Sequence, residues 1–365
     1  MTSSEPLRTD PPAPSREETF RRIVSGEQRG LGATLARLGL SLVEPLYAAT
    51  MSLRNAAYSR GWKRVTKVDV PVVSVGNVPL GGTGKTPFVA WLAQRLRERD
   101  VRVSIVSRGY GAGQRGANDE ALVLERRLPD VPHVQDRDRI VAAQIAIEEL
   151  ETQLILLDDG FQHRRLARDL DLVLIDALDP FGGARVFPRG LLRESLSGLG
   201  RASAVVLTRA DLVDASTRES IRRTVERYSP NVPWIESRFT PTALVNSLGE
   251  ERPIDSLAGQ AVAAFCGIGN PAGFRRTLAS LGHDPIEFLT FPDHHDFARP
   301  DVERLVRWAT EQQRAKSCSA VLCTEKDLVK LDLDRLGPLP LWAVRIDCEI
   351  VSGADALDAL LAPLA

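Results

Sequence analysis

Residues 70–91, VPVVSVGNVPLGGTGKTPFVAW, constrain this chain more than any other stretch. Val70–Val75 is a β-branched run suited to a buried parallel strand. The glycines after it let main-chain N–H groups turn inward around an anion. A helix is expected from near Gly84, because Val89, Leu92, Ala93 and Leu96 recur at helical spacing. Its unpaired N-terminal amides and its dipole favour negative charge at that end. The whole reads as strand, phosphate loop, helix. Gly76, Asn77, Gly81, Gly82, Thr83 and Gly84 are the candidate cradle for nucleotide phosphates. Lys85 would reach the β/γ-phosphates, and the Thr86 hydroxyl would bind Mg²⁺. The strict pattern G-x-x-x-x-G-K-[ST] places a glycine where this chain has Pro79, so the reading rests on the strand before and the helix after. The competing reading is a glycine-rich turn with an exposed lysine.

The chain has 365 residues, enough for one large or two ordinary domains. A formal net charge of −1 removes any global electrostatic case for nucleic acid. Cys266, Cys318, Cys323 and Cys348 form no C-x-x-C pair, and read as reduced, mostly buried cytosolic thiols.

Residues 1–30 are polar and proline-bearing and are expected to be a disordered tail without a signal-type apolar core. From Leu31 to Tyr58 the sequence turns apolar, with Leu31, Leu35, Leu38, Leu42, Leu46 and Tyr47 close to one helical face. Arg37, Glu44 and Pro45 interrupt it, which argues against a membrane span. Residues 51–68 carry Arg54, Arg60, Lys63, Arg64 and Lys67 beside Tyr58 and Trp62, with no acidic residue before Asp69. An apolar helix followed by a basic, aromatic stretch suits a membrane interface; a helix packed on the domain with a solvated basic edge is the alternative.

Val101–Ser107 is a second strand, ending at Arg108, where open α/β sheets bind ligands. Asn118-Asp119-Glu120 follows in a glycine-rich stretch. Leu154–Leu157 delivers Asp158 and Asp159 at a strand end, where a carboxylate can hold Mg²⁺ directly or through water; helix capping is the bland alternative. His163 follows as a titratable group beside that metal site. Leu172–Asp176 and Ala204–Thr208 are further strands, and the loop containing Arg189, Arg193 and Glu194 between them suits an anionic or hydroxylated substrate. Alternation of strands and helices predicts a parallel sheet. The pattern restarts beyond Pro230 with strands at 234–239, 262–266, 320–324 and 342–348. Of the adjacent His294 and His295, proton handling by one is more plausible than zinc binding.

Taken together, the segments VGNVPLGGTGKTP (75–87), SRGYG (107–111), NDE (118–120), LDDGFQHRRLARDLD (157–171), FPRGLLRESL (187–196), GIGNP (267–271), PDHHDF (292–297) and TEKDLVKL (324–331) resemble the tetraacyldisaccharide 4′-kinase family of Gram-negative bacteria. The resemblance implies an α/β fold, a P-loop NTPase-like parallel-sheet domain with a second, smaller α/β domain joined by a two-stranded linker. The corresponding boundaries are a membrane-interfacial region at 31–68, a kinase core at 69–232, linker strands at 233–240 and 341–349, a second domain at 241–340 and a terminal helix at 350–365. It further implies transfer of the γ-phosphate of ATP, with Mg²⁺, to the 4′-hydroxyl of tetraacyldisaccharide 1-phosphate, giving lipid IVA. A peripheral monomer at the cytoplasmic face of the inner membrane is expected, with no nucleic-acid partner.

By the same resemblance Asp119 is the general base, assisted by His294. Lys85 and Thr86 are the loop's lysine and hydroxyl, Asp158 and Asp159 the metal-side carboxylates, and Arg108, Glu120, Arg139, His163, Arg193 and Glu194 line the substrate. Asn118, Arg189 and Ser195 depart from the family pattern. Two rivals stand beside this reading. Thr208-Arg209-Ala210-Asp211 resembles a guanine-reading [NT]-K-x-D signature, as in a GTPase or metal-insertion NTPase, and a nucleotide-dependent membrane adaptor would bind ATP without phosphorylating a lipid.

Overall fold

The computed structural model describes residues 16–109 and 119–364, with side chains from Thr19 onward. Residues 1–15 of the tail expected over 1–30, Tyr110 and Gly111 of the 107–111 segment, and Asn118 lie outside the described residues. In chain order the elements begin with α1 (Arg16–Ser25), α2 (Leu31–Ser59), β1 (Val72–Asn77), α3 (Lys85–Arg97), β2 (Val103–Ser107), α4 (Asp119–Arg127), β3 (His133–Gln135) and α5 (Arg139–Leu150). Next come β4 (Leu154–Asp158), β5 (Leu170–Asp176), β6 (Ala204–Thr208), α6 (Ala215–Glu226), β7 (Trp234–Val245), β8 (Glu251–Pro253), β9 (Val262–Cys266) and α7 (Pro271–Ser280). The chain closes with β10 (Phe288–Thr290), α8 (Arg299–Lys316), β11 (Ala320–Thr324), α9 (Glu325–Leu331), β12 (Arg335–Leu336), β13 (Leu339–Ser352) and α10 (Ala354–Leu361).

The chain divides into two compact units, one built from Phe20–Thr240 with Asp347–Ala365 and the other from Pro241–Ile346. The chain passes from one to the other within β7 and again within β13.

In the first unit the strands run in the order β3-β2-β4-β1-β5-β6-β7, every pair parallel. Every residue of β1, β2, β4 and β6 is buried, as their near-continuous apolar runs require of a sheet covered on both faces. On one face α3 packs Phe88, Leu92 and Leu96 against Val73, Val75 and Leu156, with Leu357 and Leu361 of α10 in the same cluster. On the other, Ile221 and Val225 of α6 pack with Phe161, Val173 and Leu207. Ala142, Ala143 and Ala146 let α5 approach Val72, Ile155 and Leu157 closely. β1 sits between β4 and β5, with Val75 paired to Asp158. That register sets the end of β4 beside the beginning of the phosphate loop.

Pro241–Ile346 holds a parallel set β10-β9-β11-β13, with β12 antiparallel to β13. Its two apolar clusters are built around Leu305, Trp308 and Ala309 of α8 and around Phe274 and Leu278 of α7. All four cysteines are buried and unbridged.

Two expectations for the N-terminal region are corrected. Residues 16–25 are helical, because Phe20 and Val24, one turn apart, dock on the core: the Phe20 ring lies 5.9 Å from that of Phe187, and Arg189 donates to the Val24 carbonyl at 3.2 Å. Tyr47 does not share the leucine face. It packs edge-on to Phe187 at 5.4 Å and donates to the Arg193 carbonyl, whereas Leu31, Leu35, Leu42 and Leu46 are 67–86% exposed. α2 passes through Pro45 unbroken.

Candidate active site

The phosphate loop follows from local chemistry. β1 ends at Asn77, and its buried side-chain amide donates to the Pro79 carbonyl at 2.8 Å, folding the loop back on itself. Gly84 caps α3 with φ +81°, and Pro87 sits in the first turn, where a missing N–H costs nothing. A side chain on Gly84 would also collide with the ring of Phe239 from β7. We therefore expect Gly84→Ala to destabilise the fold by about 1–3 kcal/mol and weaken nucleotide binding. Thermal melts and nucleotide titration of the variant check this.

Lys85 Nζ donates to Asn77 Oδ1 at 3.2 Å and stands 3.5 Å from Asp159 Oδ1. Asp159 closes the turn after β4 with φ +52°, and Arg193 grips both its oxygens, at 2.7 and 2.9 Å. Burial works to raise the Asp159 pKa, but the charges of Lys85, Arg193 and Arg139 outweigh it and hold the carboxyl at about 2. This turn fits tightly under the loop: a Cβ on Gly76 would meet the Phe161 Cβ at 2.7 Å.

Asp158 is in the opposite electrostatic position. Burial, and then the charge of Glu120, push its pKa up to about 7, against the pull of Lys85. Its Oδ1 is buried without a hydrogen-bond partner. An orphaned carboxylate oxygen near further negative charge, beside a loop that carries the buried Thr86, fits a hard divalent cation that keeps several waters. Asp158 and Thr86 are thus the residues suited to hold Mg²⁺, while Asp159 is captured by cations.

The other expected residues divide. Arg139 begins α5, is buried, and reaches the Asp159 carbonyl at 3.4 Å; burial lowers its pKa and Asp159 opposes that. Glu120 stands in the first turn of α4 and acts on Asp158, and Arg108, just past β2, acts on Arg139. Asp119 is the first residue of α4.

Glu194 is only 2% exposed and accepts from Asn55 at 2.6 Å, Arg201 at 2.8 Å and Gln162 at 3.1 Å, so it ties α2 to the loop. His163 is not the titratable group expected: burial, reinforced by Arg139, Arg165 and Arg168, drives its pKa down to about 4 and keeps it neutral. His294 belongs to the unit 241–346, where its side chain is 59% exposed. His295 is bound to Asp301 at 3.0 Å and stacked on Phe291.

Gln162 has a larger part than its place in a motif suggests. Its amide donates to the Asn77 carbonyl at 3.0 Å and to Glu194, and its oxygen accepts from Arg193 at 3.4 Å. Phe239 carries no local signal at all. Arg209, which stands where a guanine-reading lysine would, is ion-paired with Asp176 and lies over the Phe239 ring.

His133 supplies a pH dependence. Its Nε2 is 2.8 Å from Ser107 Oγ, and burial lowers its pKa to about 4, opposed by a bond to the Ala121 backbone. Above the unfolded value of about 6.5 neither state is charged. As pH falls from there to 4, the unfolded chain takes up a proton that the folded ring refuses, so stability drops, by up to about 3 kcal/mol. Melting midpoints across this window should fall for the wild type and fall less steeply in His133→Asn, where His163, lowered to about 4 by burial, still contributes the same sign of dependence.

A parallel sheet whose inner strand runs into a glycine-rich loop, a lysine and a helix, with a carboxylate at the end of the neighbouring strand, defines a phosphate-loop nucleotide-binding α/β protein. The sequence profile described as tetraacyldisaccharide-1-P 4′-kinase matches residues 36–365. The tetraacyldisaccharide 4′-kinase of Anaeromyxobacter dehalogenans is 41% identical over 92% of this chain and 93% of its own length. That of Geobacter sulfurreducens is 34% identical over 94% and 98%. The crystal structure of LpxK from Aquifex aeolicus in complex with ATP superposes with a TM-score of 0.74 at 32% identity, covering 90% of this chain and 99% of that one. The chain belongs to the tetraacyldisaccharide-1-P 4′-kinase family.

Proposed function

We propose that this protein transfers the γ-phosphate of ATP to the 4′-hydroxyl of tetraacyldisaccharide 1-phosphate, forming lipid IVA. The observation that carries the reading is Lys85, held between Asn77 and Asp159 at the head of α3, within a chain that matches this family from residue 36 to its end. Gly76–Thr86 cradles the phosphates through main-chain N–H groups, and Lys85 offsets charge on the transferring group. Thr86 and Asp158 would hold Mg²⁺, which when bound would offset negative charge on the transferring group. Arg193 and Arg139 fix Asp159, which in turn orients Lys85. Asp119 takes the acceptor hydroxyl's proton, and His294 is the assisting group. Apart from His294, which lies in 241–340, the residues of this chemistry come from 69–232, and 233–240 with 341–349 link the two. Labelled γ-phosphate transfer from ATP–Mg²⁺ to the acceptor in detergent micelles tests the reading. ATP or GTP hydrolysis without a phosphorylated lipid would point to the GTPase or adaptor alternatives.

The acceptor's acyl chains call for docking on the cytoplasmic face of the inner membrane. No described helix is long and apolar enough to cross a membrane. α2 offers instead an exposed face of Leu31, Leu35, Leu38, Leu42, Leu46 and Leu53 on a helix whose opposite side is tied to the core. Each leucine buried in lipid contributes about 1.5–3 kcal/mol, so replacing Leu35, Leu42 and Leu46 together by serine should lower vesicle partitioning at least about a hundredfold. Because these side chains are exposed, melting should hardly change; undiminished pelleting with anionic vesicles would place the docking surface elsewhere.

A further inference from the structure

The short helix α1 brings an arginine to the phosphate loop. Nη2 of Arg21 lies 3.6 Å from the position that a Cβ on Gly81 would take, with Cζ at 3.9 Å and Nη1 at 4.0 Å. Gly81 holds φ +126°, which only glycine adopts without strain, and its bare main chain lets a guanidinium come this close. Arg21 is half-buried, whereas the next residue, Arg22, is exposed. The family profile begins at residue 36, so its match owes nothing to Arg21.

α1 and the phosphate loop are fastened to the same segment, residues 187–193. Phe20 packs on Phe187, and Arg189 donates to the Val24 carbonyl. In the same segment the Leu191 carbonyl accepts from the Leu80 N–H at 2.6 Å, and the Arg193 N–H donates to the Val78 carbonyl at 2.9 Å. Arg37 of α2 holds α1 from another side, donating to the carbonyls of Ile23 at 3.2 Å and Gln28 at 3.0 Å. A helix tied down in this way presents its charge at a fixed place, so little conformational freedom is lost when a ligand meets it.

Gly81 belongs to the stretch that runs up to Lys85, whose main chain cradles the nucleotide phosphates. We propose that Arg21 is a catalytic arginine supplied in cis by α1, donating to the oxygens of the transferring γ-phosphoryl group, an assignment that rests on the kinase reading above. In the transfer the acceptor hydroxyl oxygen bonds the γ-phosphorus, and the bond from phosphorus to the β,γ-bridging oxygen breaks, its electron pair staying on ADP. The hydroxyl proton passes to Asp119. Negative charge shifts toward the bridging oxygen and is spread over the phosphoryl oxygens, where the planar guanidinium adds a two-pronged donor to the single charge of Lys85.

The test is single-turnover transfer of labelled γ-phosphate to tetraacyldisaccharide 1-phosphate at saturating ATP–Mg²⁺ in neutral detergent micelles, with ATP and ADP affinities titrated separately. It uses the full chain and the variants Arg21→Ala, Arg21→Lys and Arg22→Ala. Arg21→Ala should slow transfer about a hundredfold, the lower end for one lost transition-state donor. It should weaken ATP about tenfold, the worth of one charge-assisted hydrogen bond, and leave ADP unchanged. Arg21→Lys should recover part of the rate, and guanidinium chloride below denaturing concentration should speed Arg21→Ala but not the wild type. Arg22→Ala, which removes the same charge from the exposed side of α1, should match the wild type. Wild-type transfer rates in Arg21→Ala would overturn the proposal. Equal weakening of ATP and ADP, without rescue by guanidinium, would also overturn it and leave Arg21 as a brace for the loop. If the wild type binds ATP but phosphorylates no lipid, the kinase reading itself fails and takes the catalytic role of Arg21 with it.

Discussion

Lys85→Ala should lower turnover by about 10²–10³-fold, equivalent to about 2.7–4 kcal/mol of transition-state stabilisation. The Lys85 side chain is 10% exposed and its ammonium is held by one amide oxygen and one carboxylate, so it needs little reorganisation to meet charge developing on the transferring phosphate. Its removal has a second consequence. Asp159 would keep Arg193 but lose one of the cations that hold its pKa at about 2, and Asp158 would lose the charge that most opposes its protonation. The variant should therefore bind Mg²⁺–nucleotide less well in addition to transferring phosphate slowly. Single-turnover transfer at saturating ATP separates the two effects. Turnover within about tenfold of wild type would remove Lys85 from the phosphate site, because a lost transition-state donor costs more than that.

Asp119→Ala should cost about 10²–10⁴-fold in turnover, the usual contribution of a positioned general base, with ATP affinity close to wild type. The acceptor hydroxyl must shed its proton as it attacks, and a carboxylate is the group of matching reach and charge. Asp119 opens α4 beside Glu120, and an acidic side chain in a first helical turn contributes only about 0.3–1 kcal/mol to the helix. A fold defect is therefore a small part of the expected loss. Asp119→Asn, which keeps the shape and removes the base, should be as slow as the alanine variant. Rapid turnover in either, with normal nucleotide binding, would assign proton removal to another group.

The two variants probe different levels of legibility. Lys85 could be identified from the chain alone, because a strand, a glycine-rich turn and an amphipathic helix are each encoded within a few consecutive residues. The observed strands at 204–208, 262–266 and 320–324 match their apolar runs residue for residue for the same reason. Asp119 has no such local signature, and its role comes from family resemblance. Short strands such as His133–Gln135 and Phe288–Thr290 carry too few residues for a period to show.

What the sequence by itself determined was the α/β alternation, the phosphate loop, and the delivery of two carboxylates at one strand end. Only the tertiary structure decided the surroundings of each. The pairing of β4 beside β1, some eighty residues apart, sets Asp159 between Lys85 and Arg193, while Asp158 is buried with an unpartnered oxygen. The same long-range packing buries Glu194 under Asn55 and Arg201, keeps His163 neutral among arginines, and turns Tyr47 inward from a helix whose leucines face out. Local periodicity specifies which residues share a face. The charge and burial of each side chain depend on which distant segment covers that face, and that choice is made by the core as a whole.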